Sequence, residues 1–317
     1  MTKIDTFSPP TPLNTAVLFL VFNRPDTTKQ VFEAIRKAKP PRLYVAADGA
    51  REEKLGEDEK VEQSRQIATN VDWPCEVMTL FREENLGCKH AVSSAIDWFF
   101  ENEEMGVILE DDCLPHPTFF RFCEELLEYY RDDERIGMIS GDNFQFGQKR
   151  TEASYYFSRY NYIWGWASWR RAWKHYDREA TAWPMLRDGG WLEGLISNPS
   201  ERKFWTTVFQ DVYEGRIDTW DYQWTLASWT QGMVAIQPNV NLISNIGFGC
   251  DATHTHCGSI YADMKVEPID FPLRHPEIVL PHFEADVYTS KGMFTASLSH
   301  RVMQKIRSLI RLGRKSL

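Results

Sequence analysis

Four strand-like runs, at residues 16–22, 43–47, 76–81 and 106–109, alternate with helical stretches in the first third of this chain. A run such as Ala16-Val17-Leu18-Phe19-Leu20-Val21-Phe22 has no polar face to offer water. It therefore reads as a strand buried on both sides of a parallel sheet. Parallel neighbours need crossover connections, and helices fit the gaps. After the first run, Asp26 or Thr27 can cap a helix with Val31, Ala34, Ile35 and Ala38 on one face, and Pro40-Pro41 stops it. After Asn85-Leu86-Gly87 a second helix buries Val92, Ala95, Ile96 and Phe99. This order predicts an α/β fold wound around a parallel sheet.

Polar residues close the runs at what would be one sheet edge: Asn23-Arg24-Pro25, Asp48-Gly49 and Glu110-Asp111-Asp112. In open α/β sheets, ligands bind beyond the carboxyl ends of the strands. Adjacent carboxylates repel one another unless a cation holds them, and hard oxygen ligands suit Mg²⁺ or Mn²⁺ carrying a diphosphate. The plain alternative is a solvated acidic turn. Asp48 is either a turn aspartate before Gly49 or a contact to the base or ribose of a nucleotide. Arg24 follows the first run, and Lys89 opens a helix whose N-terminus favours anions. Both are candidates for pairing with a nucleotide or its diphosphate. The charged segment 51–65 reads as a solvated loop leading into a helix, with no chemistry of its own.

Beyond Pro115 the texture changes. Residues 119–130 have helical period, and Ile136-Gly137-Met138-Ile139 opens into Ser140-Gly141-Asp142-Asn143. The stretches 155–173 and 220–229 are strongly aromatic in a chain with 12 Trp, 12 Tyr and 19 Phe. Most of these rings belong in a core, and one or two of Tyr162, Trp164, Trp166 and Trp169 are candidates to stack on a sugar. Asp221 lies between Trp220 and Trp224, where partial burial would raise its pKa and make it a better base. The alternative is an acid that pairs with an arginine or caps a helix. Cys250, His254, His256 and Cys257 admit a zinc reading, although their spacing is not that of a standard module.

A net charge of −9 argues against nucleic acid as a partner. Six scattered cysteines without a C-x-x-C pair suggest reduced thiols in a cytosolic protein. The longest apolar run is too short to span a bilayer, and residues 1–14 hold no apolar signal core. The basic stretch 300–317 places Val302, Ile306, Leu309 and Ile310 on one helical face. It is either a helix lying on an anionic membrane surface or a solvated or packed terminal helix.

Four features resemble the GT-A glycosyltransferases, in particular the inverting N-acetylglucosaminyltransferases of N-glycan synthesis and bacterial glycosyltransferase or hemolytic-protein-like sequences. They are Glu110-Asp111-Asp112, the turn Ile139-Ser140-Gly141-Asp142-Asn143, the pair Gly165-Trp166, and Trp220-Asp221-Tyr222-Gln223-Trp224. The resemblance implies a GT-A, Rossmann-like mixed sheet flanked by helices. It implies a catalytic domain over 14–257, with a nucleotide-sugar half at 14–113 and an acceptor half at 114–257, followed by an extension at 258–317. It further implies transfer from a nucleotide diphosphate sugar, a UDP-sugar by default, to a glycan hydroxyl with inversion, assisted by Mn²⁺ or Mg²⁺.

Under that resemblance Asp112 is the metal ligand, while Glu110 and Asp111 face ribose or donor-sugar hydroxyls. Asn23, Arg24, Asp48 and Lys89 contact the nucleotide, Gly165 and Trp166 lie beside the donor sugar, and Asp221 is the base. His254 matches a C-terminal histidine that helps hold the metal or diphosphate in several such enzymes. This chain has Tyr222 where the N-glycan enzymes have a second acid. Its first strand ends in the bacterial Asn-Arg-Pro form, so the eukaryotic acceptor does not carry over. The rivals are a nucleotidyltransferase on a similar sheet, against which the first loop lacks a Gly-rich, Lys-bearing sequence, and a non-catalytic glycan-binding protein.

Overall fold

The computed structural model describes residues 12–247 and 260–295. The first part alternates as expected: β1 (Ala16–Val21), α1 (Pro25–Ala38), β2 (Arg42–Ala47), α2 (Glu57–Thr69), β3 (Glu76–Phe81), α3 (Gly87–Asn102) and β4 (Met105–Glu110). There follow β5 (Cys113–Pro115), α4 (Thr118–Tyr129), β6 (Ile136–Ser140), β7 (Tyr155–Ser158) and β8 (Trp166–Trp169). Short helices α5 (Arg170–Trp173), α6 (Trp183–Asp188) and α7 (Trp191–Leu195) lead to α8 (Pro199–Tyr213) and α9 (Asp221–Thr230). The described chain closes with β9 (Val234–Pro238), β10 (Ile243–Asn245), α10 (Phe283–Thr289) and a π-helical turn, Ser290–Phe294.

Eight strands form one sheet in the order β3-β2-β1-β4-β8-β6-β9-β7. β3, β2, β1 and β4 run parallel, and β8 runs against both β4 and β6. The α/β class and the mixed, helix-flanked sheet expected from the sequence are both present. β1 is buried along its whole length because both its faces are covered. Val17, Phe19 and Val21 join one layer with residues of α1 and α4, while Ala16, Leu18 and Leu20 join the other with residues of α3 and α9. That period of two with apolar side chains on both faces is why the strand reads as an unbroken run. A further cluster under α6 to α9 gathers Tyr160, Trp183, Trp205, Phe209 and Trp229.

The winding reverses at β1, with β2 on one side and β4 on the other. Such a switch point leaves a crevice beyond the strands' carboxyl ends. Here the register sets Leu20 of β1 beside Glu110 of β4, so the residues following both strands meet.

Two local readings change. α1 starts at Pro25, with Arg24 at the cap position and no side-chain cap, so neither Asp26 nor Thr27 caps it. Proline has no N–H to satisfy and a fixed φ, which suits the first helical position. Within 51–65, Glu57 opens α2 and is buried rather than solvated, bonded by Arg51 and by the Asn23 amide. Residues 260–295 pack onto the body. Ile269 and Leu273 enter the core, the His282 N–H donates to the Phe157 carbonyl at 2.7 Å, and buried Asp286 accepts from the Ser158 hydroxyl at 2.6 Å. No helix among the described residues is long and apolar enough to cross a membrane. The basic tail and its membrane-surface reading lie outside the described residues.

Phe99 of α3 is fully buried against Gly106 of β4, where an added Cβ would collide with its ring. Phe99→Ala should therefore cost about 3–5 kcal/mol, the usual penalty for emptying such a site. Urea unfolding with an unchanged slope would report it, and a loss under about 1 kcal/mol would contradict the packing described.

Candidate active site

The crevice at the switch point is a cavity of about 420 Å³, an ordinary size for a small-ligand site. Its floor is built where β1 and β4 end. The Phe22 N–H donates to Asp111 Oδ2 at 3.0 Å, and Arg24 Nη1 lies 2.6 Å from Asp112 Oδ2 and 4.0 Å from Asp111 Oδ1. The resident cation of the acidic triplet is thus the Arg24 guanidinium. Asp112 is held from behind as well: its carbonyl accepts the Ile246 N–H at 2.8 Å, and Gly247 runs so close that a Cβ there would strike the carboxylate.

The electrostatics follow from crowding and burial. Burial first, then Asp112, Asp111 and Asp221, pushes the Glu110 carboxyl well above the usual carboxylate range. Burial and then Asp112 raise Asp111 in the same direction, against the pull of Arg24. Burial opposes the charge on Arg24, but Asp112 and Asp111 outweigh it and its pKa rises. Asp221 and the triplet line the same cavity, near enough for the Asp221 charge to contribute to the rise at Glu110.

Asp221 lines the cavity as the first residue of α9, where the Thr219 hydroxyl donates to its Oδ1. Trp220 and Trp224, on either side, are buried, and Trp220 stacks on Trp166 at 5.6 Å. Asp48 also lines the cavity, and its carboxylate accepts the N–H groups of Gly49, Leu86 and Gly87. Burial raises its pKa in spite of those donors. Asn23 and Arg24 both line the wall.

Other expectations are not met there. Lys89 does not line the cavity; it is nearly buried and its ammonium pairs with Glu179 at 2.6 Å. The N-terminus of α3 is already engaged, since the Cys88 and Lys89 N–H groups donate to Asp218. Gly165 and Trp166 lie behind the wall, Gly165 packed on Ile243 and Leu109 and Trp166 fully buried. Tyr162 and Trp169 are likewise core residues, so of the four rings considered for a sugar platform Trp164 is the one lining the cavity. Asp142 is buried, with one oxygen bonded to the Trp164 N–H and the other lacking a partner. His254, with Cys250, His256 and Cys257, lies outside the described residues.

Among the wall residues that the sequence reading did not single out are Arg51, Arg82 and Asn245. Arg51 sat in a segment taken as solvated, and its pairing with Glu57, which holds that carboxyl down to about 2, had no local signature.

The donor set fits a hard divalent cation. Glu110, Asp111 and Asp112 offer oxygen alone, but among the described residues no group of three or more His, Cys, Asp or Glu could by itself hold a metal ion. A cation here would take one or two carboxylates and leave its other positions to phosphate and water, as Mg²⁺ does in nucleotide sites.

No family model matches the sequence, and no curated protein matches it. Among solved structures, the chain is similar to an active-site mutant of LgtC, with 12% identity, TM-score 0.36, and 90% of this chain and 99% of that chain covered. It is similar to a UDP-glucose pyrophosphorylase complexed with UDP-glucose, with 12% identity, TM-score 0.26, and 48% of this chain and 64% of that chain covered. It is also similar to HddC from Yersinia pseudotuberculosis, with 12% identity, TM-score 0.28, and 45% of this chain and 59% of that chain covered. These TM-scores are too low to bear on function, which the geometry of the crevice has to carry.

Proposed function

We propose that this chain is a metal-dependent, inverting glycosyltransferase of GT-A type, moving a sugar from a nucleoside diphosphate donor, a UDP-sugar by preference, to a glycan hydroxyl. One observation carries the reading. The acidic triplet at the switch point and Asp221, the first residue of α9, line one and the same cavity. Simple sugar binding gives no reason to crowd buried carboxylates there, whereas phosphate chemistry through a cation does.

Asp112 would hold Mn²⁺ or Mg²⁺, with His254 proposed as a second protein ligand. The bound cation would neutralise charge developing on the leaving diphosphate. Arg24, drawn from Asp112, can turn its guanidinium to a phosphate oxygen. Asp48, Asn23 and Arg51 form the side of the cavity where base and ribose would lie, and Glu110 and Asp111 take sugar hydroxyls. Asp221 accepts the proton of the acceptor hydroxyl. Trp164 is the ring placed to stack on a sugar.

The products test this reading against its nearest rival. Incubation with a nucleoside diphosphate sugar and an acceptor should give free nucleoside diphosphate and a glycoside of inverted anomeric configuration by NMR. Release of pyrophosphate from a nucleoside triphosphate and sugar phosphate would mark a nucleotidyltransferase instead.

A pH effect follows from the raised carboxyls. Glu110 and Asp111 favour their protonated forms in the folded chain, while a cation needs them ionised, so binding should expel protons and tighten as pH rises. For the free protein the sign is opposite. The folded state holds these protons at a pH where the unfolded chain has lost them, so these two groups lower stability as pH rises from about 4. Calorimetry of Mn²⁺ with nucleoside diphosphate in buffers of different ionisation enthalpy would show the release. Buffer-independent heats would contradict it.

A further inference from the structure

Four consecutive backbone N–H groups at the head of α3 are taken by two carboxylates from distant parts of the chain. Leu86 and Gly87 donate to Asp48 at 2.9 and 3.1 Å, and Cys88 and Lys89 donate to Asp218 at 2.9 and 2.8 Å. A helix start leaves such groups without partners, so each of these bonds fills a vacancy. Gly87 adopts φ +77°, and a Cβ there would press on the Asp218 carboxylate.

Asp218 stands three residues before Asp221, and the intervening residues are tied down. Trp220 is buried and its carbonyl accepts the Tyr176 hydroxyl at 3.1 Å. The Thr219 carbonyl accepts the Gln223 amide at 2.7 Å, and the Thr219 hydroxyl bonds Asp221 itself. Asp48 and Asp218 therefore fasten the β2 end, the head of α3 and the segment entering α9 to a single turn beside the cavity.

We propose that Asp218 is a positioning residue for the transfer reaction, clamping the segment that carries Asp221 onto the nucleotide side of the cavity. This rests on the reading of Asp221 as the base. Asp218 is not that base, because each of its oxygens accepts a backbone N–H. Its contribution is distance: with the clamp in place the Asp221 carboxylate stands at a fixed reach from the donor sugar. Without it, the segment keeps its Trp220 anchor but loses its tie to α3.

The test compares Asp218→Ala and Asp218→Asn in the full chain, reading kcat and donor KM together with hydrogen exchange over residues 216–221 and along α3. For the alanine variant, kcat should fall about 100-fold, the loss that a displacement near 1 Å brings, with donor KM little changed. Exchange at residues 216–221 and at Cys88 and Lys89 should quicken while the middle of α3 keeps parental protection. Asparagine retains one acceptor oxygen and should recover at least about tenfold of the lost kcat. An alanine variant with parental kcat, or an asparagine variant no better than alanine, would overturn the positioning role. Unchanged exchange in both variants would overturn the clamp whatever the reaction. A parent chain without sugar transfer would instead overturn the glycosyltransferase reading, and this role with it.

Discussion

Asp221→Asn should leave donor and cation binding within a few-fold of the parent while sugar transfer falls by about 10²-fold to 10⁴-fold, the usual contribution of a general base. The substitution keeps the shape of the side chain and an oxygen to accept the Thr219 hydroxyl, so α9 should start as before. What disappears is the proton acceptor. Steady-state kinetics beside direct binding of the nucleoside diphosphate separates the two effects, because a group acting in the transition state lowers kcat without weakening the donor. Retained turnover would remove Asp221 from the reaction. Neither Asp218 nor Asp142 offers a ready substitute, since Asp218 is committed to the head of α3 and Asp142 is buried off the cavity wall.

Asp112→Ala should have an effect of comparable size on binding. The residue follows β4 and its carboxylate serves the cavity, so the fold should survive with a small change in Tm. Removing a group behind a metal ligand typically costs 10–100-fold in affinity, and loss of the ligand itself should cost at least ~100-fold in Mn²⁺-dependent binding of nucleoside diphosphate. Arg24 also loses its partner at 2.6 Å, which leaves a cation to hold some diphosphate without metal. The variant should therefore lose the metal dependence more completely than the binding. Parental affinity in the presence of Mn²⁺ would show that Asp112 is not the ligand.

The parts of this molecule legible from sequence are those whose physics is local. β1 and β4 differ from their expected bounds by a residue or so, because a strand buried on both faces must be apolar throughout, and the mostly exposed edge strand β3 runs over Glu76–Phe81 as read. The acidic triplet was legible because its place, after a buried strand at a sheet edge, is itself a local pattern. Lys89 was misplaced for the opposite reason: its partner Glu179 is 90 residues away, and a lysine opening a helix looks the same whether it faces a ligand or a carboxylate. Asp218 meets Cys88 across 130 residues, so nothing near either could announce the contact. Trp164 and Trp166 stand two residues apart in one aromatic run, yet one lines the cavity and the other fills the core. Aromatic composition cannot separate a ring for sugar from a ring for packing.

The most direct measurement is the melting temperature of the parent chain across a panel of nucleoside diphosphate sugars, with Mn²⁺ and with the metal chelated. A ligand that binds the folded state alone, at a hundred times its dissociation constant, stabilises by about 2.7 kcal/mol, which shifts Tm by a few degrees in a chain of this size. Such a shift is expected for at least one donor with Mn²⁺, and its loss on chelation. No shift with any nucleotide, or an equal shift from a free glycan without metal, would contradict it.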